Sequence, residues 1–295
     1  SRITLFSARQ RAGRANRMTT GNVYRLWTEY EHVQLSEQDQ PEIQTANLVR
    51  LYLECLAWGC EPTALAWLSE PPAKRLKDSK MRLHSLGAVD ASGLTDTAKN
   101  WHMTALSPRG NAVLASIRNA SEADRARIAY ILPLLDGERA PNRQLNDIQA
   151  RLSNLPKQHS YTKTVEKIGA TLGLTRGFPA PSPIFTQTVL ESILVGFPER
   201  IGRQRTVGSG HYLMANGSGG RLHPSIRQEG SEFILALSVG GQKATEMTLF
   251  DVVSVDGSWI PFVKRMDVFF SDEDQKVVCR KRHGFGALVL SEQPA

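Results

Sequence analysis

The chain has 295 residues, 41% hydrophobic and 22% charged, with 36 lysines and arginines against 29 acids, a formal charge of +7 and a sequence pI of about 9.4. That composition is globular rather than disordered or fibrous, and the length allows roughly two domains of ~150 residues or three to four small ones. No apolar run approaches the ~18 residues of a membrane span, three cysteines without a Cys-x-x-Cys pair exclude a disulfide scaffold and suit a reducing cytosol, and clustered positive charge favours an acidic partner, nucleic acid ahead of a membrane surface.

The first eighteen residues carry Arg2, Arg9, Arg11, Arg14 and Arg17 and no acid. Within Gln10-Arg11-Ala12-Gly13-Arg14-Ala15-Asn16-Arg17, three arginines step by three. On a helix that spacing puts them on neighbouring positions of one face, with Ser7 ahead as an N-cap. A guanidinium fork holds two phosphate oxygens at once, so such a row suits a nucleotide triphosphate or a nucleic-acid backbone. The same run also reads as a solvated basic helix.

From Asn47 the pattern turns helical, with Leu48, Leu51, Tyr52, Cys55 and Leu56 as one buried face. Gly59 suits the helix end, and Pro62 the first turn of a short helix burying Leu65 and Leu68. A third helix starts near Pro72, turns Leu76, Leu83 and Leu86 inward and stops at Gly87. Residues 88–94 read as a strand, a tight turn and a second strand edge. Three helices and a small hairpin are the layout of a winged helix.

Between Thr95 and about Phe197 nearly everything reads as helix. Ser121 with Asp124 forms a capping-box-like start, and Pro133 predicts a kink. Leu145, Ile148, Leu152 and Leu155 stripe the next helix, and Val165, Ile168 and Leu172 another. The proline-rich residues 177–183 break the series. Val189, Leu190, Ile193, Leu194 and Phe197 form the last stripe. After Pro198, residues 233–237, 247–250, 252–253 and 287–290 read as short strands, with turns at Gly240-Gly241, Asp256-Gly257 and Ser271-Asp272. They suit a small barrel, with the part from about Ser258 extending beyond its core.

Arg200, Arg203, Arg205, His211, Tyr212, Asn216 and Arg221 gather at the start of that barrel. Basic groups beside an aromatic can follow a phosphate backbone and stack a base, or they can guard a strand edge against aggregation. Lys276, Arg280, Lys281, Arg282 and His283 read as a charged hairpin tip. The histidines and cysteines make no zinc spacing, so no metal site is expected. Ser209 and Ser218 do not complete Gly-x-Ser-x-Gly, which argues against a hydrolase triad.

The run from Gln10 to Arg17 resembles motif VI of the DEAH-box ATP-dependent helicases, Gln-Arg-x-Gly-Arg-x-Gly-Arg. Residues 21–28 (Gly-Asn-Val-Tyr-Arg-Leu-Trp-Thr), Pro41-Glu42-Ile43, Leu56-Ala57-Trp58-Gly59, residues 212–219 and residues 288–292 resemble strings of the HrpB-like branch, in that branch's order. The resemblance implies a multidomain α+β protein. Its parts would be the tail of a second RecA-like α/β domain over residues 1–38 (with residues 21–28 its outgoing strand), a winged helix over 39–105, a helical bundle of ratchet type over 106–197, and an OB-like β-barrel with the start of the C-terminal region over 198–295.

It further implies that Gln10, Arg14 and Arg17, with Arg11 in the same cluster, face the γ-phosphate of ATP. Arg14 and Arg17 would be catalytic, stabilising charge on the transferring phosphoryl group by ~10³–10⁵ in rate. Asn16 stands where the family has glycine and adds bulk beside the phosphate. Neither Gly-x-x-x-x-Gly-Lys-[Ser/Thr] nor Asp-Glu-Ala-His occurs in the chain. The expectation is therefore the C-terminal portion of a longer cytoplasmic helicase, inactive toward ATP by itself. Its parent would use ATP and Mg²⁺ to move along single-stranded RNA, or DNA, with N-terminal RecA-like domains completing the motor. Arg203, Arg205, His211, Tyr212, Asn216 and Arg221 are its candidate nucleic-acid contacts. The competing expectation is a non-enzymatic nucleic-acid-binding adaptor; a winged-helix transcription regulator fits less well, since the third helix has little to read base edges.

Overall fold

A computed structural model describes residues 3–15, 17–138, 148–156, 159–224, 226, 231–243, 246–271 and 275–294. Arg2, Asn16, Leu145 and Asp272, named above, lie outside them. The chain forms two compact units, residues 1–82 and 83–295.

The first unit is built from short helices: α1 (Leu5–Arg14), α2 (Glu29–Val33), α3 (Glu42–Thr45), α4 (Val49–Ala57) and α5 (Ala73–Ser85), the last crossing the division between units. Thr4, not Ser7, caps α1. Its hydroxyl accepts the Ser7 N–H at 3.1 Å and donates to the Asp39 carboxylate at 3.1 Å. The Leu5 and Phe6 amides donate to the Ser36 and Glu37 carbonyls. The cap and these two bonds use three of the four amides that a helix start leaves over.

The strand expected at residues 21–28 does not form. A strand exists only through a ladder to a neighbour, and among the described residues this segment has none. Tyr24 and Leu26 are accordingly 83% and 95% exposed.

Helix α4 buries Leu48, Tyr52 and Cys55 as expected. Leu53 is buried with them, while Leu51 and Leu56 lie at the margin. The chain leaves α4 at Gly59, whose φ of +83° few other residues tolerate. Pro62 then opens a single 3₁₀ turn, Pro62–Ala64. One turn has no face to bury, so Leu68 is fully exposed rather than inward, Leu65 is half-buried, and Pro62 itself takes the buried place. Leu76, Leu83 and Leu86 are buried as their spacing predicts.

The second unit begins with the two-residue strands β1 (Val89–Asp90) and β2 (Gly93–Leu94), paired antiparallel. Among the described residues five helices follow: α6 (Pro108–Ile117), α7 (Glu122–Leu135), α8 (Ile148–Ser153), α9 (Ser160–Thr171) and α10 (Gln187–Gly196). Ser121 caps α7, which runs through Pro133 and ends two residues later. The described residues of the predicted stripes meet in one core containing Leu152, Val165, Ile168, Leu172, Val189, Leu190 and Ile193. Helix α10 lies so close to α6 that a Cβ on Gly196 would sit 2.5 Å from the Arg109 carbonyl oxygen.

Strands β3 (Ile201–Gln204), β4 (His211–Met214), β5 (Gly219–Leu222), β6 (Phe233–Lys243) and β7 (Glu246–Val255) close into a barrel in the order β3-β4-β5-β7-β6. The β5–β7 pair is parallel and the others antiparallel. Closure leaves no free edge to pair with a stranger. Tyr212, Met214, Ile234, Ala236, Leu249 and Val252 form a core cluster of its strands.

Two expectations change here. Gly240-Gly241 lies within β6 rather than at a turn, because shifts of register along β6 and β7 absorb it. Residues 247–250 and 252–253 belong to the single strand β7. Beyond the barrel, β8 (Val263–Ser271), β9 (Lys276–Phe285) and β10 (Leu288–Pro294) form a separate antiparallel sheet in the order β10-β9-β8. Its base is tied to the barrel by the Ala287 N–H donating to the Ala215 carbonyl at 2.7 Å and by buried Leu288. A buried ion pair, Arg151 with Asp251, fastens α8 to β7; their side chains are 7% and 4% exposed.

Candidate functional site

The first candidate site is the end of α1. Gln10, Arg11 and Arg14 sit on its last turns, all exposed. Gln10 and Arg14 are four residues apart and Arg11 and Arg14 three, so the helix does bring them to adjoining positions. Arg17 lies outside: α1 stops at Arg14 and Ala15 is its C-cap. The expected three-membered helical row is therefore a cluster of Gln10, Arg11 and Arg14, with Arg17 on the bend beyond.

Cations at a helix C-terminus are favoured by the macrodipole, by about 0.3–1 kcal/mol each at an exposed site. Among the described residues no acid or hydrogen-bond acceptor engages Gln10, Arg11, Arg14 or Arg17. They present charge outward, at the end of a helix whose other end is fixed by Thr4 and Asp39. That fixed end was not anticipated, although Thr4 standing three residues before Ser7 is an ordinary cap signal.

The second candidate site is the barrel face, and the structure divides its residues. Tyr212 is 1% exposed, and its hydroxyl donates to the Ser231 carbonyl at 3.3 Å. Burial raises the pKa of its phenol. It is a core residue and offers no surface for a base to stack on. Strand alternation would have shown this, since Tyr212 shares a face with Met214, also fully buried.

Arg203 is committed as well: it pairs with Glu232 at 2.9 Å, donates to the Val289 carbonyl at 2.7 Å, and stands over the Phe233 ring. Arg200 is mostly buried beside Phe197, and burial lowers the pKa of its guanidinium. Asn216 closes the β4–β5 turn by accepting from the Ser218 N–H and hydroxyl. His211 faces Arg221 across β4 and β5 and holds Glu246 at 2.9 Å through Nδ1. That leaves Arg205 and Arg221, both exposed and, among the described residues, without an acid partner.

The expected C-terminal cluster is not a hairpin tip. Lys276, Arg280, Lys281, Arg282 and His283 are spread along the ten residues of β9. The three cysteines are free thiols. No group of three or more metal-ligating side chains occurs among the described residues, and no helix there is long and apolar enough to cross a membrane.

No family model matches the chain. It is 30% identical over 303 aligned residues to the ATP-dependent RNA helicase HrpB of Escherichia coli K12, an alignment that covers 99% of this chain and 36% of HrpB. It is 36% identical over 89 residues to human DHX35, described as a probable ATP-dependent RNA helicase, covering 30% of this chain and 13% of that protein. Two crystal structures of the Escherichia coli protein superpose on the whole chain and on 36% of theirs. One is described as a DExH-box NTPase, with a TM-score of 0.79 at 25% identity, and the other as a DEAH/RHA helicase, with 0.80 at 26%. The chain thus spans about a third of the length of the HrpB protein it matches.

Proposed function

Since the chain is homologous along its whole length to the C-terminal part of HrpB-type DEAH-box helicases, we propose that it supplies two parts of an ATP-dependent RNA helicase: the motif VI arginines of the motor, and accessory domains that enclose the nucleic acid. The observation that carries this is the end of α1, where Arg11 and Arg14 are exposed beside Gln10 with no acid to neutralise them among the described residues. Cations left in that state suit an anion brought from outside the unit. In the intact motor, Gln10, Arg14 and Arg17 would face the γ-phosphate. Arg14 and Arg17 would offset the charge that spreads over the equatorial oxygens as the phosphoryl group transfers. The glycine-rich amide cradle, its lysine and the acids that hold Mg²⁺ have no counterpart in this sequence, so this chain contributes one wall of the ATP site.

The observed elements support a domain reading. Exposed Tyr24 and Leu26 suit residues 21–28 as the outgoing strand of a RecA-like sheet, with residues 1–38 as the tail of that domain. Helix, turn, helix and two-stranded hairpin over 39–105 suit a winged helix. Helices α6–α10 suit a bundle over 106–197. The closed order β3-β4-β5-β7-β6 with its one parallel pair suits an OB-like barrel in 198–295, with β8–β10 opening the C-terminal region. On that barrel Arg205 and Arg221 are the free phosphate contacts, His211 beside them is shared with Glu246, and Arg203, Tyr212 and Asn216 hold the scaffold. RNA is the proposed polymer and the cytoplasm the proposed location.

The test uses the 295-residue chain with a labelled oligouridylate of about 15 nucleotides. Binding should be weak and salt-sensitive, and Arg205→Ala with Arg221→Ala should lower the log–log salt slope by about 1.4, two phosphates at ~0.7 each. The chain should turn over no ATP. ATP hydrolysis by it, abolished by Arg14→Ala, or an unchanged salt slope in the double variant, would overturn the corresponding half of the reading.

A further inference from the structure

The sheet of β8, β9 and β10 has two chemically different faces, assigned by strand alternation and register. On one face lie the sheet's two described acids, Asp267 and Glu292, both paired with arginine. Asp267 pairs with Arg265 at 3.1 Å and Arg282 at 3.2 Å, and Glu292 pairs with Arg280 and Arg282. The Arg282 and Arg280 hydrogen bonds hold the Glu292 carboxyl below its usual range.

On the opposite face Lys264 stands across from His283, and His283 from Ser291; Met266 stands across from Lys281, and Lys281 from Gln293. These six line one open groove, to which Arg265 and Arg282 of the paired row also contribute. No acid lies on this face among the described residues, and neither lysine has an ion-pair partner there. Met266 is 64% exposed between them. The sheet has thus put its acids, each already matched by arginine, on one side, and left cations, neutral hydrogen-bonding groups and apolar surface on the other.

A ligand for that face must bring negative charge and accept apolar contact. A second copy of the same face would set lysine against lysine. Single-stranded nucleic acid brings both properties, with phosphates for the cations and flat base faces for the methionine. Lys264, His283 and Ser291 stand in one row across the three strands and offer the track for the chain. We propose that this face of the β8–β10 sheet is a second contact surface for single-stranded RNA, crossing the strands at the Lys264 end. The choice of polymer rests on the proposed function, but the residues are not those of the barrel face, so each can fail alone.

The oligouridylate titration separates them. Lys264→Ala with Lys281→Ala should weaken binding several-fold at low salt and lower the salt slope by about 1.4. Its melting temperature should match the parent chain, because both side chains are exposed and unpaired. Lys264→Glu with Lys281→Glu should weaken binding further. Unchanged affinity and slope in both variants would overturn the proposal, with the barrel reading intact if the Arg205/Arg221 variant loses affinity. Loss of binding to a polyglutamate peptide, with RNA affinity retained, would give the face to an acidic protein and overturn it too. No RNA binding by the parent chain would remove both.

Discussion

Removing Asp251 should be among the most damaging single changes in the second unit. Its carboxylate meets the Arg151 guanidinium where neither side chain is more than 7% exposed. Asp251→Ala leaves that cation in place, out of reach of water and without the Asp251 charge. Breaking one side of a buried pair costs about 3–5 kcal/mol. For a unit of this size each kcal/mol moves the melting temperature by about 2–4 °C, so the expected fall is roughly 6–20 °C. Arg151→Met with Asp251→Leu removes both charges and keeps the volume. It should recover most of the loss, ending within about 1 kcal/mol of the parent chain or above it. Urea titrations at neutral pH give all three free energies and close the cycle. A single variant that loses under about 1 kcal/mol, or a double variant as unstable as the two singles summed, would show that the pair is not a buried, coupled unit, and that α8 is held to β7 by apolar packing alone.

Other expectations test other parts of the scaffold. Burial alone would raise the Asp124 pKa, but hydrogen bonds from Ser121 and Thr186 and the Arg127 charge outweigh it and hold the carboxyl below its ordinary 3.8. A depressed folded pKa gives stability that is complete above the unfolded value and lost as pH falls through the folded one. Asp124→Asn should therefore cost about 1–3 kcal/mol at pH 7, and the gap should narrow only below about pH 3.8; a gap that widens on acidification refutes it. Thr4→Ala should cost about 0.5–2 kcal/mol of cap energy and speed amide exchange through α1, which unchanged exchange would contradict.

How much of this was legible in the sequence depended on whether the partner of each element was local. The stripes of α8, α9 and α10 were readable because a helix satisfies its own backbone and its burial follows a 3.6-residue period. Gly59, Gly87 and Ser121 marked ends for reasons of backbone geometry that hold in any context. Strands β3, β4, β5, β8 and β9 were missed because their sequences are mixed or basic, and only the ladder makes them strands. Residues 21–28 show the opposite case: a good strand sequence stays unpaired where, among the described residues, no neighbour offers it a ladder. In the candidate sites, residue type was legible and commitment was not. Arg203, Arg205 and Arg221 look alike in sequence, and only Glu232 and the Val289 carbonyl separate the first from the other two.

Commitment is also what distinguishes the end of α1. An isolated ten-residue helix is marginal in water, and α1 buries only Ala8. It is held from its N-terminal side, by the Thr4 cap, the Asp39 hydrogen bond and the two amides on residues 36 and 37. The anchored end faces the segment that leads into α3 and α4, and the free end carries Gln10, Arg11 and Arg14. The contacts to residues 36–39 therefore set the direction in which those side chains are presented. The proposed placing of that cluster at a triphosphate therefore depends on residues 36–39 as well as on the arginines themselves.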